Sequence, residues 1–322
     1  MVGWFLKRVF ERFLDKKFGK YADVLADALI GVFDAAYNHM QEYLKTHSMT
    51  EVVTKAENND PEAQFCLGLM YYFGRGVAED KTEAVKWLRK AAEQGYADAQ
   101  SFLGGMYYNG EGVRQDKNEA VKWLRKASEQ GEAYAQCLLG SLYDEGDGVK
   151  QDKSEAIKWY RKAAEQGNEI AQNNLGVMYK NGEGVQQDYS EAARLFRKSA
   201  EQGHDDAQCN LGIMYDNGYG VTQDKFEAVK WYRKAAEQGH AHAQSNLGFM
   251  YSNGYGVTQD KSEAVRWYRE AAEQGYANAQ YNLGAMYYNG EGVTQDKSEA
   301  VKWFRKAAEQ GYTPAQNALK NL

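Results

Sequence analysis

Hydrophobic and polar residues follow one another along most of this chain in a pattern that returns every 36 residues. Seven glycines keep that step, and a tyrosine follows each of them after three residues. The glycines are Gly68, Gly104, Gly140, Gly176, Gly212, Gly248 and Gly284. A fixed period of this length is typical of repeat architectures, in which each repeat is one supersecondary unit. We therefore expect an all-α chain with seven repeats and a terminal half-repeat at 313–322.

Each repeat is predicted to contain two helices. In the second repeat, apolar residues with helical spacing span about 98–109, a glycine loop follows, and a second helix spans about 117–130. Asp116 followed by Glu119 is typical of an N-cap whose glutamate reaches back to the cap. Gly131 is placed to end the second helix in the left-handed conformation. Because "EQG" recurs in every repeat, we interpret it as a helix stop.

The seven copies can be compared with one another to separate positions that build the repeat from positions that vary. At 100° per residue, Ala99, Leu103, Met106 and Tyr107 share one face of the first helix, and their types recur in the other repeats. These positions are predicted to form the core. The variable positions, such as Asp98 and Tyr108, lie on the opposite side, which we expect to face solvent.

Exposed aromatic and aliphatic side chains mixed with charges are typical of protein-binding surfaces. The candidate partner-binding residues on the variable side are Phe65, Leu69, Tyr72, Asp98, Tyr108, Tyr134, Asp144, Asn173, Lys180, Asp216, His242, Phe249, Tyr281 and Tyr288. Asparagines also recur beside them, at Asn174, Asn210, Asn246 and Asn282. Their amides fit two roles equally well, binding a partner's backbone or stabilising the repeat.

The recurring glycine inside each first helix costs about 1 kcal/mol relative to alanine. We therefore expect a close helix crossing at each of these positions. The terminal half-repeat has Lys320 at the same register. This lysine is consistent with a polar cap that no further helix crosses.

Residues 1–57 do not follow the repeat and are predicted to form two amphipathic helices, each with an apolar stripe of its own. The first stripe is Trp4, Phe5, Val9, Phe10, Phe13 and Leu14, and the second is Val24, Leu25, Leu29, Val32, Phe33, Tyr37, Met40 and Leu44. Six basic and two acidic residues give the segment that carries the first stripe, residues 1–20, a charge of +4. Three arrangements fit these stripes: a cap on the first repeat, self-association, or contact of the first stripe with an anionic membrane surface.

Composition and charge narrow the classes of function. A net charge of −6 gives no basic excess for a polyanion, so we expect no nucleic-acid partner. Cys66, Cys137 and Cys209 lie too far apart for a metal cluster and predict reduced thiols in a cytoplasmic protein. His204, His240 and His242 lack a third ligand at suitable spacing and are predicted to be surface residues. The glycine loops follow helices, which favours turns over phosphate-binding loops.

The repeat resembles a known family in two stretches. The residues "A-x-x-x-L-G-x-x-Y-x-x-G-x-G-V" and "D-x-x-x-A-x-x-W-x-x-x-A-A-x-x-G" resemble the Sel1-like repeat, a relative of the tetratricopeptide repeat, over about 60–322. The resemblance implies an α/α solenoid with a right-handed superhelical curve that brings proteins together. A secreted branch of the family has a cysteine pair in each repeat. This chain lacks those pairs, so enzymatic activities attributed to that branch do not carry over.

Two hypotheses of function follow. The leading one is a non-catalytic scaffold or adaptor that binds a protein or peptide on the concave first-helix face, with no cofactor, metal or catalytic residue. Residues 1–57 are then a separate N-terminal segment, and 58–322 form the solenoid. The alternative is a small-molecule-binding or enzyme-inhibiting solenoid with a ligand site in the groove. Convergent titratable residues would favour that alternative, and the sequence pattern indicates none.

Overall fold

The computed structural model describes residues 22–322, and all regular secondary structure in that range is α-helical. The first apolar stripe and its basic residues lie outside the described residues. The second stripe lies on a long helix, as predicted. We number the helices α1 to α17 in chain order, beginning with this one. None of the seventeen combines the length and apolar character needed to cross a bilayer.

Two helices precede the repeats, α1 (Ala22–Thr46) and α2 (Met49–Glu57). The first helices of the seven repeats are α3 (Pro61–Phe73), α5 (Ala97–Asn109), α7 (Ala133–Glu145), α9 (Glu169–Asn181), α11 (Asp205–Asn217), α13 (Ala241–Asn253) and α15 (Ala277–Asn289). The second helices are α4 (Lys81–Glu93), α6 (Lys117–Glu129), α8 (Lys153–Glu165), α10 (Tyr189–Glu201), α12 (Lys225–Glu237), α14 (Lys261–Glu273) and α16 (Lys297–Glu309). The terminal half-repeat forms α17 (Thr313–Lys320).

The described chain divides into two compact units, each an α/α solenoid. Unit one contains 22–178 and 183–186, and unit two contains 179–182 and 187–322. Consecutive helices pack side by side from α2 to α8 in unit one and from α10 to α17 in unit two. The prediction of an all-α solenoid is therefore confirmed.

The second helices begin and end where the sequence predicts. The Asp80 carboxylate caps α4 by accepting a hydrogen bond from the backbone N–H of Glu83 at 2.9 Å. Gly95 follows the same helix with φ 94°, a conformation that favours glycine. The Glu83 side chain, however, does not reach back to the cap as we expected. It accepts a hydrogen bond from Lys86 Nζ at 2.7 Å, which places the carboxylate along the helix.

The core face of the first helices is confirmed for three of its four positions. Ala99, Leu103 and Met106 are fully buried, whereas Tyr107 is half-buried. The Tyr107 hydroxyl accepts a hydrogen bond from Arg89 on the second helix of the preceding repeat. This tyrosine therefore links neighbouring repeats. The same bond joins Arg125 to Tyr143, Arg197 to Tyr215, Arg233 to Tyr251 and Arg269 to Tyr287.

Glycine is required where the two helices of a repeat cross. A Cβ atom at Gly212 would lie 2.6 Å from the ring of Tyr232 on α12, closer than real Cβ contacts allow. Leu124 crowds Gly104 in the same way, at 2.7 Å. Lys320, at the same register on α17, is exposed. The predicted close crossing is therefore present where both helices exist and absent from the terminal half-repeat.

A chain of glutamine amides links successive repeats. The Gln100 amide on α5 donates to the backbone carbonyl of Ala92 on α4 at 2.9 Å. Its side-chain oxygen accepts a hydrogen bond of 2.7 Å from Gln130, which ends α6. Gln100 and Gln130 thus join α4, α5 and α6. The arrangement recurs at Gln136 with Gln166, Gln208 with Gln238, Gln244 with Gln274, and Gln280 with Gln310.

Helix α2 contacts the first repeat in the way that the second helix of each repeat contacts the repeat after it. The Gln64 amide donates to the carbonyl of Ala56 at 3.1 Å, as Gln100 does to Ala92. Asn59 has φ 68° and occupies the place of Gly95. This helix packs against α3 and covers the end of the first repeat. The cap that a solenoid needs is thus supplied by α2 and not by the second apolar stripe.

The recurring tryptophans pack between helices, as the sequence indicates. Trp267 on α14 is 5% exposed and belongs to the same apolar cluster as Leu247 and Met250 of α13. Trp303 has the same place relative to α15. A basic side chain covers the outer side of these rings, with Lys306 Nζ 4.1 Å from the ring centre of Trp303.

Candidate protein-binding face

The variable positions of the first helices form a surface that we call the first-helix face. In each repeat four positions contribute to it, and in the second repeat they are Asp98, Ser101, Gly105 and Tyr108. We describe the part on α3, α5 and α7 as the unit-one face. The part on α11, α13 and α15 is the unit-two face. The two differ in what covers them.

Helix α1 lies across the unit-one face and packs against α3, α5 and α7. A helix of 25 residues is about 37 Å long, which is enough to span three repeats. Most of its buried side chains lie on one wide stripe, formed by Leu25, Ala28, Leu29, Val32, Phe33, Ala36, Tyr37 and Met40. This stripe contains most of the residues that the sequence predicted for one apolar surface.

Two glycines shape the contact between α1 and the unit-one face. Phe33 of α1 points at Gly105, where an added Cβ would lie 3.0 Å from the ring. The same ring lies 4.5 Å from Phe102, centre to centre, in an edge-on arrangement. Gly31 of α1 faces Tyr134, and a Cβ there would lie 2.6 Å from that ring. Each partner thus offers a glycine where the other offers an aromatic ring.

Polar contacts accompany the apolar ones toward the C-terminal end of α1. Arg75 donates to the Tyr37 hydroxyl at 2.6 Å. His39 lies between two carboxylates, with Nε2 3.1 Å from Glu62 and Nδ1 3.5 Å from Asp98. These contacts fix the position of α1 along the face, because they require specific atoms to meet.

The expectation that the variable side faces solvent is wrong in unit one. Phe65 and Leu69 are fully buried, and Tyr72 and Tyr108 are 7% and 2% exposed. Asn173 on α9 is also buried. The physical reason is that α1 covers this face, and periodicity within a repeat cannot reveal what a non-repeat segment covers. Asp98, Tyr134 and Asp144 remain half-buried.

No described helix packs across α13 or α15 on the unit-two face, in contrast to the unit-one face. Phe249 is 47% exposed there. The other predicted residues, Asp216, His242, Tyr281 and Tyr288, are half-buried, as is Lys180 at the end of α9. The structure therefore brings part of the predicted set together on an accessible surface. Their role in binding stays a prediction.

The sequence comparison missed two exposed tyrosines in the loops next to this face. In the second and third repeats the second residue of the loop is acidic and pairs with a lysine of the preceding repeat, as Glu111 does with Lys81 at 2.5 Å. Tyr219 instead stacks on Tyr189, with ring centres 5.0 Å apart. Tyr255 lies 5.9 Å from both Lys225 Nζ and the Phe249 ring. The available signal was a tyrosine at a loop position that is acidic in most of the other repeats.

The recurring asparagines do not share one structural role. Asn282 donates to Asn278 at 3.0 Å, which stabilises its own helix. Asn210 accepts from Lys180 at 3.4 Å. Asn174 is 6% exposed and its amide nitrogen has no hydrogen-bond partner. Among the described asparagines, those with such intramolecular bonds are less suited to bind a partner's backbone.

Two of the histidines, His204 and His240, act as helix caps. His240 precedes α13, where Nδ1 accepts from the backbone N–H of Ala243 at 3.1 Å. Its Nε2 donates to Asp206 at 2.8 Å, so both ring nitrogens are engaged. His204 caps α11 by accepting from Ala207. The prediction of ordinary surface residues is wrong for His240, whose side chain is only 17% exposed.

Titratable groups do converge on the unit-one face, which sequence reasoning also missed. Burial raises the pKa of Asp98 against the opposing effect of His39. Burial also raises the pKa of Glu132, which caps α7 through backbone N–H groups. The cavity beside them measures about 80 Å³, whereas sites for drug-sized ligands occupy about 300–1,000 Å³. Its size does not support the small-molecule alternative.

Comparison with known protein families gives one match. The model described as "Sel1 repeat" matches seven segments: 61–96, 97–132, 133–168, 170–204, 205–240, 241–276 and 277–312. These segments coincide with the pairs of helices described above. None of the curated proteins compared with the chain matches it.

Two solved structures share the architecture. A protective antigen of uropathogenic Escherichia coli with a Sel1-like repeat fold is 38% identical, with a TM-score of 0.78. The match covers 94% of this chain and 67% of that one. A Sel1 repeat protein from Oxalobacter formigenes is 35% identical, with a TM-score of 0.68 and coverage of 97% and 93%.

Proposed function

We propose that this chain, which belongs to the Sel1 repeat family, is a non-catalytic scaffold or adaptor that holds an amphipathic helix of a protein partner on its unit-two face. Sel1 repeat proteins generally act as scaffolds for protein interaction and typically are not catalytic. The proposal also names the binding face and the kind of partner. Both are inferred from a comparison of the unit-one face with the unit-two face.

The observation that carries the proposal is the seating of α1 on the unit-one face. It is direct support for the idea that first-helix positions of these repeats can bind an amphipathic helix. Tyr281, Phe249 and Tyr288 of unit two occupy the register positions of Phe65, Gly105 and Tyr108 in unit one. In unit two, Phe249 is exposed and the tyrosines are half-buried. Aromatic side chains that become fully buried on binding contribute strongly to affinity.

The contacts of α1 also suggest the chemistry of the partner helix. In unit one, a glycine lies opposite an aromatic ring at two places, Gly31 opposite Tyr134 and Gly105 opposite Phe33. Phe249 protrudes where the unit-one face has Gly105. A partner helix therefore needs a small residue opposite Phe249. On either side of it we expect apolar residues spaced three or four apart.

A photo-crosslinking amino acid at position 249 of the full chain will test the proposal. We expect it to capture a segment with amphipathic helical spacing from native lysate. A synthetic peptide of that segment should then bind the purified chain. In titration calorimetry, alanine at Phe249, Tyr281 and Tyr288 should each weaken binding by about 30-fold, the effect of losing about 2 kcal/mol.

The matched control is Phe226→Ala, which removes a 60% exposed phenylalanine from a second helix. Its binding constant should equal that of the native chain. Equal binding by the three unit-two variants would contradict the proposal, provided that circular dichroism shows an unchanged fold. Loss of binding in Phe226→Ala alone would move the interface to the second helices.

A further inference from the structure

A small cavity lies between α1 and the unit-one face, and its two walls differ in chemistry. The apolar wall is formed by Val32, Ala35 and Ala36 of α1, and the polar wall by Asp98, Ser101 and Glu132 of the repeats together with His39. Its volume of about 80 Å³ equals that of roughly two or three molecules of liquid water, at about 30 Å³ each. A chemical group of two or three non-hydrogen atoms therefore fits this cavity, although a drug-sized ligand does not.

The polar wall offers acceptors for hydrogen bonds and carries negative charge. No lysine or arginine is among the described residues that line the cavity. His39 is the basic residue there, and its ring lies between two carboxylates, 3.5 Å from Asp98 and 3.1 Å from Glu62. The Glu132 carboxylate accepts hydrogen bonds from two backbone N–H groups at the start of α7, which orients it. A carboxylate has about four acceptor sites, so each of these groups can accept further bonds from a cation.

Ser101 points independently to a ligand that donates hydrogen bonds. This serine lines the cavity and is only 3% exposed. Its hydroxyl lies near the Glu132 carboxyl, but it has no partner in hydrogen-bond geometry. Buried polar groups in native proteins are nearly always hydrogen-bonded, so each exception needs a physical reason. A donor held between Asp98, Ser101 and Glu132 would supply the missing bond.

We propose that this cavity binds a primary ammonium group on a short alkyl stem. The three N–H donors of such a group match the acceptors of Asp98, Ser101 and Glu132, and its carbon atoms match the apolar wall on α1. A metal ion fits less well, because the described carboxylates and imidazole of the cavity do not bring three ligand atoms within 4.8 Å of one another. Hydrogen bonds from an ammonium nitrogen are about 2.7–2.9 Å long and allow the wider spacing.

The cavity can be reached while α1 is seated. The side chains of His39 and Asp98 are 30% and 43% exposed, so solvent already contacts the polar wall. A ligand therefore enters without breaking the contact between α1 and the repeats. The ammonium group can belong to a free amine or to the end of a lysine side chain, since both present the same chemistry.

Titration of the full chain with ethylammonium chloride at constant ionic strength tests this site, followed by NMR of labelled alanine and valine methyl groups. The signals of Val32, Ala35 and Ala36 should shift saturably with a Kd of about 1 mM, because three non-hydrogen atoms bind little more tightly than that. Alanine signals of α14 should stay unchanged. Tetramethylammonium has the same charge but no N–H donor and should bind at least about tenfold more weakly.

N-acetyl-lysine methylamide distinguishes the two sources of the ammonium group. Binding as tight as that of ethylammonium assigns the cavity to a lysine side chain. Binding of ethylammonium alone assigns it to a free amine, because the longer molecule must leave its backbone outside the cavity.

Conservative variants assign the binding to the polar wall. Asp98→Asn keeps the shape of the side chain and Glu132→Gln keeps an oxygen that can cap α7, so each should fold and raise the Kd of ethylammonium about tenfold. Ser101→Ala removes a neutral acceptor and should raise the Kd by a smaller factor. The matched control is Glu93→Gln, which removes an exposed carboxylate from α4 and should leave the Kd unchanged.

Three outcomes would overturn the proposal. The first is the lack of a saturable shift in the native chain up to 50 mM ethylammonium, and the second is equal binding of tetramethylammonium. The third is native affinity in the folded Asp98→Asn, Glu132→Gln double variant. Displacement of the amine by micromolar Zn²⁺ or Ca²⁺ would also overturn it, because the cavity would then be a metal site.

Discussion

Replacing Leu29 and Phe33 by aspartate will lift α1 from the unit-one face. Leu29 is fully buried and Phe33 is 3% exposed. Loss of either apolar side chain from a core costs roughly 2–5 kcal/mol, and an unpaired carboxylate in its place adds to that cost. The uncovered face then presents Phe65, Leu69 and Phe102 to solvent as one apolar patch. We expect loss of α1 amide protection and concentration-dependent self-association in sedimentation velocity.

The control for this experiment is Asn38→Asp, which adds the same charge to the exposed side of α1. It should leave the protein monomeric if the native chain is monomeric, and amide protection should be unchanged. Protected α1 amides in the double aspartate variant would contradict the seating of α1. So would self-association of equal strength in Asn38→Asp, which would point to charge rather than to lost burial.

A second large effect is expected from Gly212→Leu at a helix crossing. The first added atom would already lie 2.6 Å from the Tyr232 ring, and the ring is fixed by the core of the repeat. Leucine is the better helix former by somewhat under 1 kcal/mol, but overpacking costs about 1–3 kcal/mol or more. Destabilisation should therefore win. Urea unfolding followed by circular dichroism measures the difference.

Lys320→Leu provides the matched control for the crossing, because it places leucine at the same register position on the exposed terminal helix. Its unfolding free energy should stay within about 0.5 kcal/mol of the native value. A second test combines Tyr232→Ala with Gly212→Leu, whose joint cost should be smaller than the sum of the two single costs because the alanine makes room for the leucine. Equal stability of Gly212→Leu and the native chain would mean that the helices can separate at little cost.

The repeat architecture was predictable because seven copies repeat the same physical requirements. An aspartate cap, a glycine stop and a glycine crossing each have a local cause, so their spacing alone places the helices. The position of α1 was not predictable in this way. Gly31 and Gly105 mark the contact only when both sides are known, since each glycine is explained by a ring that is distant in sequence.

The candidate site shows the same limit. Helical spacing correctly grouped Phe249, Tyr281 and Tyr288 on one side of the first helices, but the same spacing also grouped Phe65 and Tyr72, which α1 covers. Periodicity identifies a face, whereas exposure depends on what packs against it. The paired tyrosines Tyr189 and Tyr219 were visible in the sequence as departures from the repeat. Their stacking needed the structure, because the two positions lie 30 residues apart.

The glutamine bonds between repeats bear on how such a chain can change its length. The glutamine of each such first helix donates to a backbone carbonyl of the preceding repeat and accepts from the glutamine that ends the second helix of its own repeat. The same bonds recur 36 residues later. Duplication or loss of a whole repeat rejoins identical partners and leaves no amide unsatisfied. An insertion within a first or second helix shifts one glutamine away from its carbonyl and leaves buried polar groups unpaired. Genes for such chains are thus expected to gain and lose material in blocks of 108 nucleotides, the coding length of ~36 residues.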